Sequence, residues 1–195
     1  MPCAVETSKI AAELTFWREL YQSAGHEVFA KIRKLDFEDY ASNLPEIRTQ
    51  EGRGLDLCCG PWSIFEGCGF DVIGADALHS KYLEIMAPPC RGMFYEQQDG
   101  EAMTFPDAYF DYVWLVNAID HTPNPEKLLA EVRRALKPGG RFYFGVWFDP
   151  ALGTPHYRLW NRATVDEYLK GFKLIRATEE WWVEHRKFRY WAIYE

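Results

Sequence analysis

Residues 54–76 read GLDLCCGPWSIFEGCGFDVIGAD, and the fold follows from them. The first five, Gly54-Leu55-Asp56-Leu57-Cys58, form a short apolar run of strand length. A tight turn follows at Gly60-Pro61, then a segment from which a short helix can start. A second apolar run, Asp71-Val72-Ile73-Gly74-Ala75, ends on Asp76. Strand, turn, helix and strand in this length make one βαβ unit. Asp76 lies twenty residues beyond Asp56. A carboxylate at the end of the second strand of such a unit accepts hydrogen bonds from ribose hydroxyls. The turn between Cys58 and Ser63 lets a ligand approach the backbone where the first strand ends. The dinucleotide fingerprint G-x-G-x-x-G needs three glycines, and this turn keeps only Gly60.

Working outward, the second half of the chain repeats the alternation. Residues 79–86 (HSKYLEIM) can make two helical turns before Pro88-Pro89 stops them. Residues 92–97 (GMFYEQ) predict a third strand ending at Asp99. Residues 110–117 (FDYVWLVN) are almost continuously apolar and β-prone, which suits a central strand buried on both faces. Asn124 and Pro125 predict the start of a helix, PEKLLAEVRRAL, whose buried stripe is Leu128, Leu129, Val132 and Leu136. Pro138-Gly139-Gly140 ends it, and residues 141–148 (RFYFGVWF) are a fifth strand. Thr164 and Glu167 have the spacing of a capping box for a helix TVDEYLKG. Residues 172–183 and 188–194 read as two strands joined by so short a turn that they must be antiparallel.

The first fifty residues are helical in pattern. Ile10, Leu14, Trp17 and Tyr21 recur at helical spacing between about residues 8 and 22, with Glu and Arg on the other face. Gly25 breaks this helix. A second runs over residues 26–35, and residues 37–48 (FEDYASNLPEIR) are mixed, with Pro45 interrupting them. This N-terminal part either covers the mouth of the core or packs on the sheet edge.

Composition bounds the rest. A chain of 195 residues with 48% hydrophobic and 16% aromatic content makes one globular domain. We therefore expect a single domain over 1–195, with 1–50 as a helical cap and 51–195 as the ligand-binding core. The net charge of −7 weighs against DNA or RNA as a partner. No run of about eighteen apolar residues exists, so no membrane partner is expected. No secretory signal is visible at the start. The five cysteines match neither a zinc pattern nor a disulfide framework, which suggests thiols in a reducing, cytoplasmic compartment. No metal site is expected.

Four landmarks in register resemble the class I S-adenosylmethionine (SAM)-dependent methyltransferases, most closely the broad group acting on small molecules. They are Asp56 to Trp62 as motif I, Asp76 closing the second strand, QDGEAMTFPDAYFDYV at 98–113, and NAIDHTPNPEKLLAEVRRALKPGG at 117–140. Within motif I, Cys58 stands where the first glycine is usual and Trp62 where the third is. The resemblance covers roughly residues 54–195. It implies an α/β fold: a Rossmann-like, doubly wound, seven-stranded and mostly parallel sheet, with an antiparallel C-terminal hairpin and helices on both faces.

The resemblance also implies SAM as cofactor, S-adenosylhomocysteine as product and a small-molecule acceptor. By it, Asp56 and the turn Cys58, Cys59, Gly60 and Pro61 face the amino-acid end of SAM. Asp76, followed by Ala77, takes the ribose. Asp99, with the backbone of Gly100 and Glu101, holds the adenine. Asn117 ends the fourth strand near the methionine portion. Each has a plainer alternative: Asp56 braces the turn, Asp76 caps a helix, and Asp99 is a turn aspartate. His121, just after the fourth strand, is either the base that takes a hydroxyl proton or a residue that orients substrate or packs in its loop. Trp147, His156, Tyr157 and Arg158 follow the fifth strand and are expected with His121 at the substrate. The expected reaction is methyl transfer to a small molecule, with hydroxyl oxygen as acceptor. The alternative is a non-catalytic SAM-binding partner protein, which the two substituted glycines motivate.

Overall fold

The computed structural model describes residues 4–88, 93–148, 157–182 and 187–195. Two helices come first, α1 (Ala4–Ala24) and α2 (His26–Asn43), followed by a 3-10 turn at Pro45–Thr49. The alternating part is β1 (Gly54–Leu57), β2 (Val72–Asp76), α3 (His79–Ile85), β3 (Phe94–Gln97), β4 (Phe110–Val116), α4 (Pro125–Ala135) and β5 (Leu136–Phe148). The chain closes with α5 (Arg162–Tyr168), β6 (Leu174–Trp182) and β7 (Lys187–Tyr194). The seven strands form one sheet in the order β3-β2-β1-β4-β5-β7-β6. The first five run parallel, and β7 pairs antiparallel with both β5 and β6. The order reverses between β1 and β4, the switch point at which open α/β sheets bind their ligands.

Alternation along the strands sorts the core into two layers. Leu55, Leu57, Val113, Leu115, Phe142 and Phe144 face Leu128, Leu129 and Val132 of α4 and Val165 of α5. Tyr112, Trp114, Tyr143 and Trp191 face the other way, onto Phe37 and Ala41 of α2 and Ile47. Each fully buried side chain of this size contributes roughly 1.5–3 kcal/mol, so α2 is as much a part of the core as α4.

Three local expectations are corrected. No helix forms between β1 and β2, where residues 58–71 are turns. Gly67 and Gly69 both sit at positive φ, 74° and 78°, and a right-handed helix cannot pass through them. The sheet face left bare there is covered by α2, which runs on to Asn43 because Phe37 and Ala41 continue its buried stripe. The cap of α5 is Asn161, whose side chain accepts from the Thr164 N–H at 3.0 Å, and not Thr164. α4 stops at Ala135, and Pro138-Gly139-Gly140 lies inside β5, in an irregularity of its pairing with β4.

Arg189 on β7 ties the N-terminal helices to the hairpin. Its buried guanidinium donates to Asp39 of α2 and, at 2.6 Å, to Glu180 of β6. No helix among the described residues is long and apolar enough to cross a membrane.

Candidate active site

The turn after β1 is held by side chains from four elements. Cys58 leaves the strand at φ 56° and Gly60 follows at φ 68°. The Gly60 N–H donates to Asp76 Oδ2 at 2.9 Å, and the Leu78 N–H donates to Asp76 Oδ1 at 2.8 Å. Ser63 Oγ donates to Asp56 Oδ2 at 2.6 Å and accepts from the Phe65 N–H. Arg33 of α2 donates from Nε to the Trp62 carbonyl at 3.0 Å and from Nη2 to the Cys59 carbonyl at 3.4 Å. Tyr95 Oη on β3 accepts the Ser63 N–H at 3.1 Å. A helix dipole is missing here, and these contacts shape the turn in its place.

Asp56 and Asp76 are both buried, and burial pushes each carboxyl up to about 6. Hydrogen bonds from Ser63 and the pull of Arg33 act the other way on Asp56, as do the Leu78 and Gly60 N–H groups on Asp76. Asp56 is thus engaged within the turn, the bracing role. Asp76 closes the turn onto β2, and a carboxylate with two engaged oxygens keeps acceptor capacity on both. Ala77 is exposed beside it, and Cys59 and Pro61 are buried within the turn.

The two substituted glycines have separate explanations. Cys58 takes the left-handed conformation that a glycine takes freely and other residues take at about 1–2 kcal/mol. We expect Cys58→Gly to stay within about 1 kcal/mol of the native chain, because relieved strain offsets added chain entropy. Cys58→Val should cost about 2 kcal/mol or more, since a β-branched side chain tolerates positive φ least. Urea unfolding of the two variants checks this, and equal midpoints would refute the strain. Trp62 turns its ring away from the turn. It packs 4.9 Å from Phe29 and 4.8 Å from His26 between ring centroids, and its Nε1 donates to the Ala87 carbonyl. The third glycine of such motifs permits a helix to approach its strand. No helix follows β1, so a tryptophan fits.

Past β3, Asp99 is exposed and its Oδ1 accepts the Glu101 N–H at 2.9 Å, a turn aspartate in its local contacts. Gly100 is buried, and a methyl group there would meet Leu128 at 3.1 Å and Cys58 Sγ at 3.4 Å. The Glu101 side chain accepts from Thr122 Oγ1 and from both the backbone and the side chain of Asn124, at 2.7–2.8 Å. It thereby clamps the loop after β3 to the loop after β4. Asn117, at φ 51° after β4, donates from Nδ2 to Tyr40 Oη of α2 at 3.1 Å.

α1 lies across the carboxyl ends of these strands. Lys9 Nζ sits 4.3 Å from the centroid of the Tyr157 ring. Glu13 Oε2 meets His121 Nδ1 at 3.1 Å, and Glu13 Oε1 accepts from Trp17 Nε1 at 2.6 Å. The Trp17 ring covers Gly60 so closely that a methyl group on Gly60 would come within 3.3 Å of it. Of the two N-terminal arrangements, α1 covers the mouth and α2 covers the sheet. Burial lowers the affinity of His121 for its proton, and the carboxylates of Glu13, Asp120 and Asp76 outweigh this, so its pKa lies above the ordinary histidine value.

The expected substrate residues divide. The Tyr157 N–H donates to the Asp120 carbonyl at 2.7 Å, which places Tyr157 beside His121. Trp147 is half-buried on β5, 5.6 Å from the Arg189 guanidinium. Arg158 stacks 5.1 Å over Tyr168 of α5. His156 lies outside the described residues. Glu13, Trp17, Arg33 and Tyr40 are the site residues that sequence reasoning missed. Glu13 carried a signal, for it stands three residues after Ile10 and four before Trp17, a carboxylate on the apolar stripe of α1 and not on its polar face.

A mostly parallel sheet with this switch point, an acid closing β2 and a left-handed turn after β1 make an architecture like that of class I methyltransferases. Residues 55–144 match the methyltransferase domain family. The 2-methyl-6-phytyl-1,4-hydroquinone methyltransferase of Synechocystis is 31% identical over 99 residues, 48% of this chain and 31% of that one. The chain thus matches about a third of that relative's length. An uncharacterized protein of Methanocaldococcus jannaschii is 29% identical over 76% of this chain and 75% of its own. Among solved structures, a Pyrococcus horikoshii protein superposes with TM-score 0.64 at 19% identity, covering 91% of this chain and 98% of its own. A putative methyltransferase of Bacillus halodurans follows at TM-score 0.60 and 19% identity, over 80% and 96%. These two share the fold. The cofactor of the class is SAM, and the residues here fit it. Buried Asp76 offers acceptor capacity at the switch point, and the turn from Cys58 to Gly60 holds both of these residues at positive φ.

Proposed function

We propose that this chain transfers a methyl group from SAM to a hydroxyl oxygen of a small molecule, with His121 as the base. The observation that carries the reading is the position of His121, 30% exposed, between the end of β4 and α1, with Nδ1 on a carboxylate. When bound, SAM supplies a methyl group on a sulfonium, which leaves as a neutral thioether. The chain's part is to hold and to orient. Asp76 accepts from the ribose hydroxyls, and Asp99 with the Gly100–Glu101 backbone holds the adenine. The turn Cys58 to Pro61, with Asn117 opposite, receives the methionine end. His121 Nε2 takes the hydroxyl proton as the new C–O bond forms, and the raised proton affinity of the imidazole suits it to that task. Holding acceptor and methyl donor in line supplies much of the remaining acceleration.

Specificity rests on α1 and α2, with Trp147, Tyr157 and Arg158 on the substrate side. The partner is a small molecule and not a nucleic acid, in keeping with the charge of −7. The working unit is a single domain, in the cytoplasm. One observation favours the second reading, a SAM-binding partner protein without turnover: Trp17 covers Gly60, where the methionine end would lie.

Calorimetric titration of the full chain with SAM and with S-adenosylhomocysteine tests the first reading. One-site binding is the expected result, with about 2.7 kcal/mol of added stability at a hundred times the dissociation constant. A panel of simple phenols and alcohols then tests turnover. Binding without turnover of any hydroxyl, amine or thiol acceptor would favour the partner-protein reading. A folded chain that binds neither ligand would overturn the SAM site.

A further inference from the structure

We propose that Glu13 is a positioning residue for His121, delivered by α1, so that the imidazole is set for proton transfer only while α1 lies across the strand ends. This rests on the reading of His121 as the base. His121 closes a short 3-10 turn, and its backbone N–H donates to the Ala118 carbonyl at 3.0 Å. That bond fixes the backbone but not the ring. The ring is fixed through Nδ1, 3.1 Å from Glu13 Oε2. A carboxylate accepts only, so the neutral imidazole carries its hydrogen on Nδ1 and its lone pair on Nε2. The nitrogen that exchanges a proton with the acceptor is therefore chosen by α1.

Glu13 is itself aimed. Its other oxygen accepts from Trp17 Nε1 at 2.6 Å, and the Trp17 ring rests on Gly60. Contact thus runs from the turn at Gly60 through Trp17 and Glu13 to His121. The placement is unfavourable for mere docking of a helix. Glu13 is 20% exposed and stands on the stripe that carries Ile10, Leu14 and Trp17. A charged group there costs more than an apolar one unless it is paired. Leucine at this position would dock α1 equally well and would leave the ring unaimed. Among the described residues, the charged groups facing His121 include Glu13 from α1, Asp120 from its own turn, with Oδ2 3.8 Å from Nε2, and Asp76 from β2. Among the described residues, Glu13 is the one of these three that belongs to an element outside the sheet and its loops.

The test uses the full chain labelled at histidine nitrogens, followed by NMR across pH with and without S-adenosylhomocysteine. In the native chain we expect the neutral His121 ring as the Nδ1–H tautomer. In Glu13→Gln the His121 titration midpoint should fall, because one of three carboxylates is lost. Trp17→Phe keeps the ring and removes the N–H, and should give an intermediate midpoint and a mixture of tautomers. With the phenol and alcohol panel, Glu13→Gln should lower kcat at pH 7 by about tenfold, part of what a placed base contributes. Its dissociation constant for S-adenosylhomocysteine should stay within about threefold. The same tautomer and midpoint in the native chain and Glu13→Gln would overturn the proposal. So would an unchanged kcat in Glu13→Gln when His121→Gln is impaired. Failure of the SAM reading looks different: no ligand binds the native chain, whatever its histidine spectrum.

Discussion

Asp76→Ala should bind SAM at least a hundredfold more weakly than the native chain while remaining folded. A carboxylate that accepts two ribose hydroxyls makes charge-assisted hydrogen bonds, each worth about 1.5–3 kcal/mol. Losing both removes about 3 kcal/mol or more of binding free energy, which is two powers of ten. The fold survives because two effects on stability oppose each other. The Gly60 and Leu78 N–H groups lose their acceptor, and a buried carboxyl that resists ionisation is removed with it. Calorimetry with SAM and urea unfolding of the apo chain together check the claim. An unchanged affinity would place the ribose elsewhere.

The same residue fixes a direction for pH. In the folded chain Asp56 and Asp76 hold protons up to about 6, against 3.8 as the ordinary value. The folded state binds more protons than the unfolded state between those values. Each group therefore contributes stability that is fully present below 3.8 and is lost as pH rises through about 6. Asp76→Ala should flatten part of that slope in the apo chain.

His121→Gln carries the second large effect. Glutamine keeps a polar side chain of similar reach but cannot act as a base near neutral pH. We expect kcat for a hydroxyl acceptor to fall by about 10²–10⁴, the usual contribution of a positioned base. Affinity for S-adenosylhomocysteine should change by less than about threefold, because the role assigned to His121 is at the acceptor. Steady-state kinetics and calorimetry on one preparation separate the two quantities. An unchanged kcat would mean that alignment alone drives the transfer.

The central strands β1, β2 and β4 were legible because each is a local apolar run. Residues 110–117 needed no partner to be read as a central strand, and the place of Asp76 at the end of β2 was read from the apolar run before it and its spacing from Asp56. What escaped depends on partners far along the chain. Nothing near Glu13 announces His121, 108 residues away. Arg33 donates to carbonyls 26 and 29 residues on. The helix expected to start after Pro61 fails because Gly67 and Gly69 take left-handed conformations, and α2 could be assigned to that bare face only with the sheet in hand. Asn161 displaced Thr164 as a cap, a difference of three residues that local pattern does not resolve.

The placement of α2 has a consequence for how the chain is made. Tyr40 stacks 6.2 Å from Trp114 and lies 5.0 Å from Trp191, and Asp39 pairs with Arg189. α2 is thus seated in part on β7, a strand made long after it. A nascent chain holds α2 for some 150 residues of elongation before that seat exists. Such long-range closure slows folding and lengthens the time that apolar surface is exposed. Ribosome-bound chains stalled before Arg189 should therefore leave Trp114 more open to solvent than chains in which β7 has emerged.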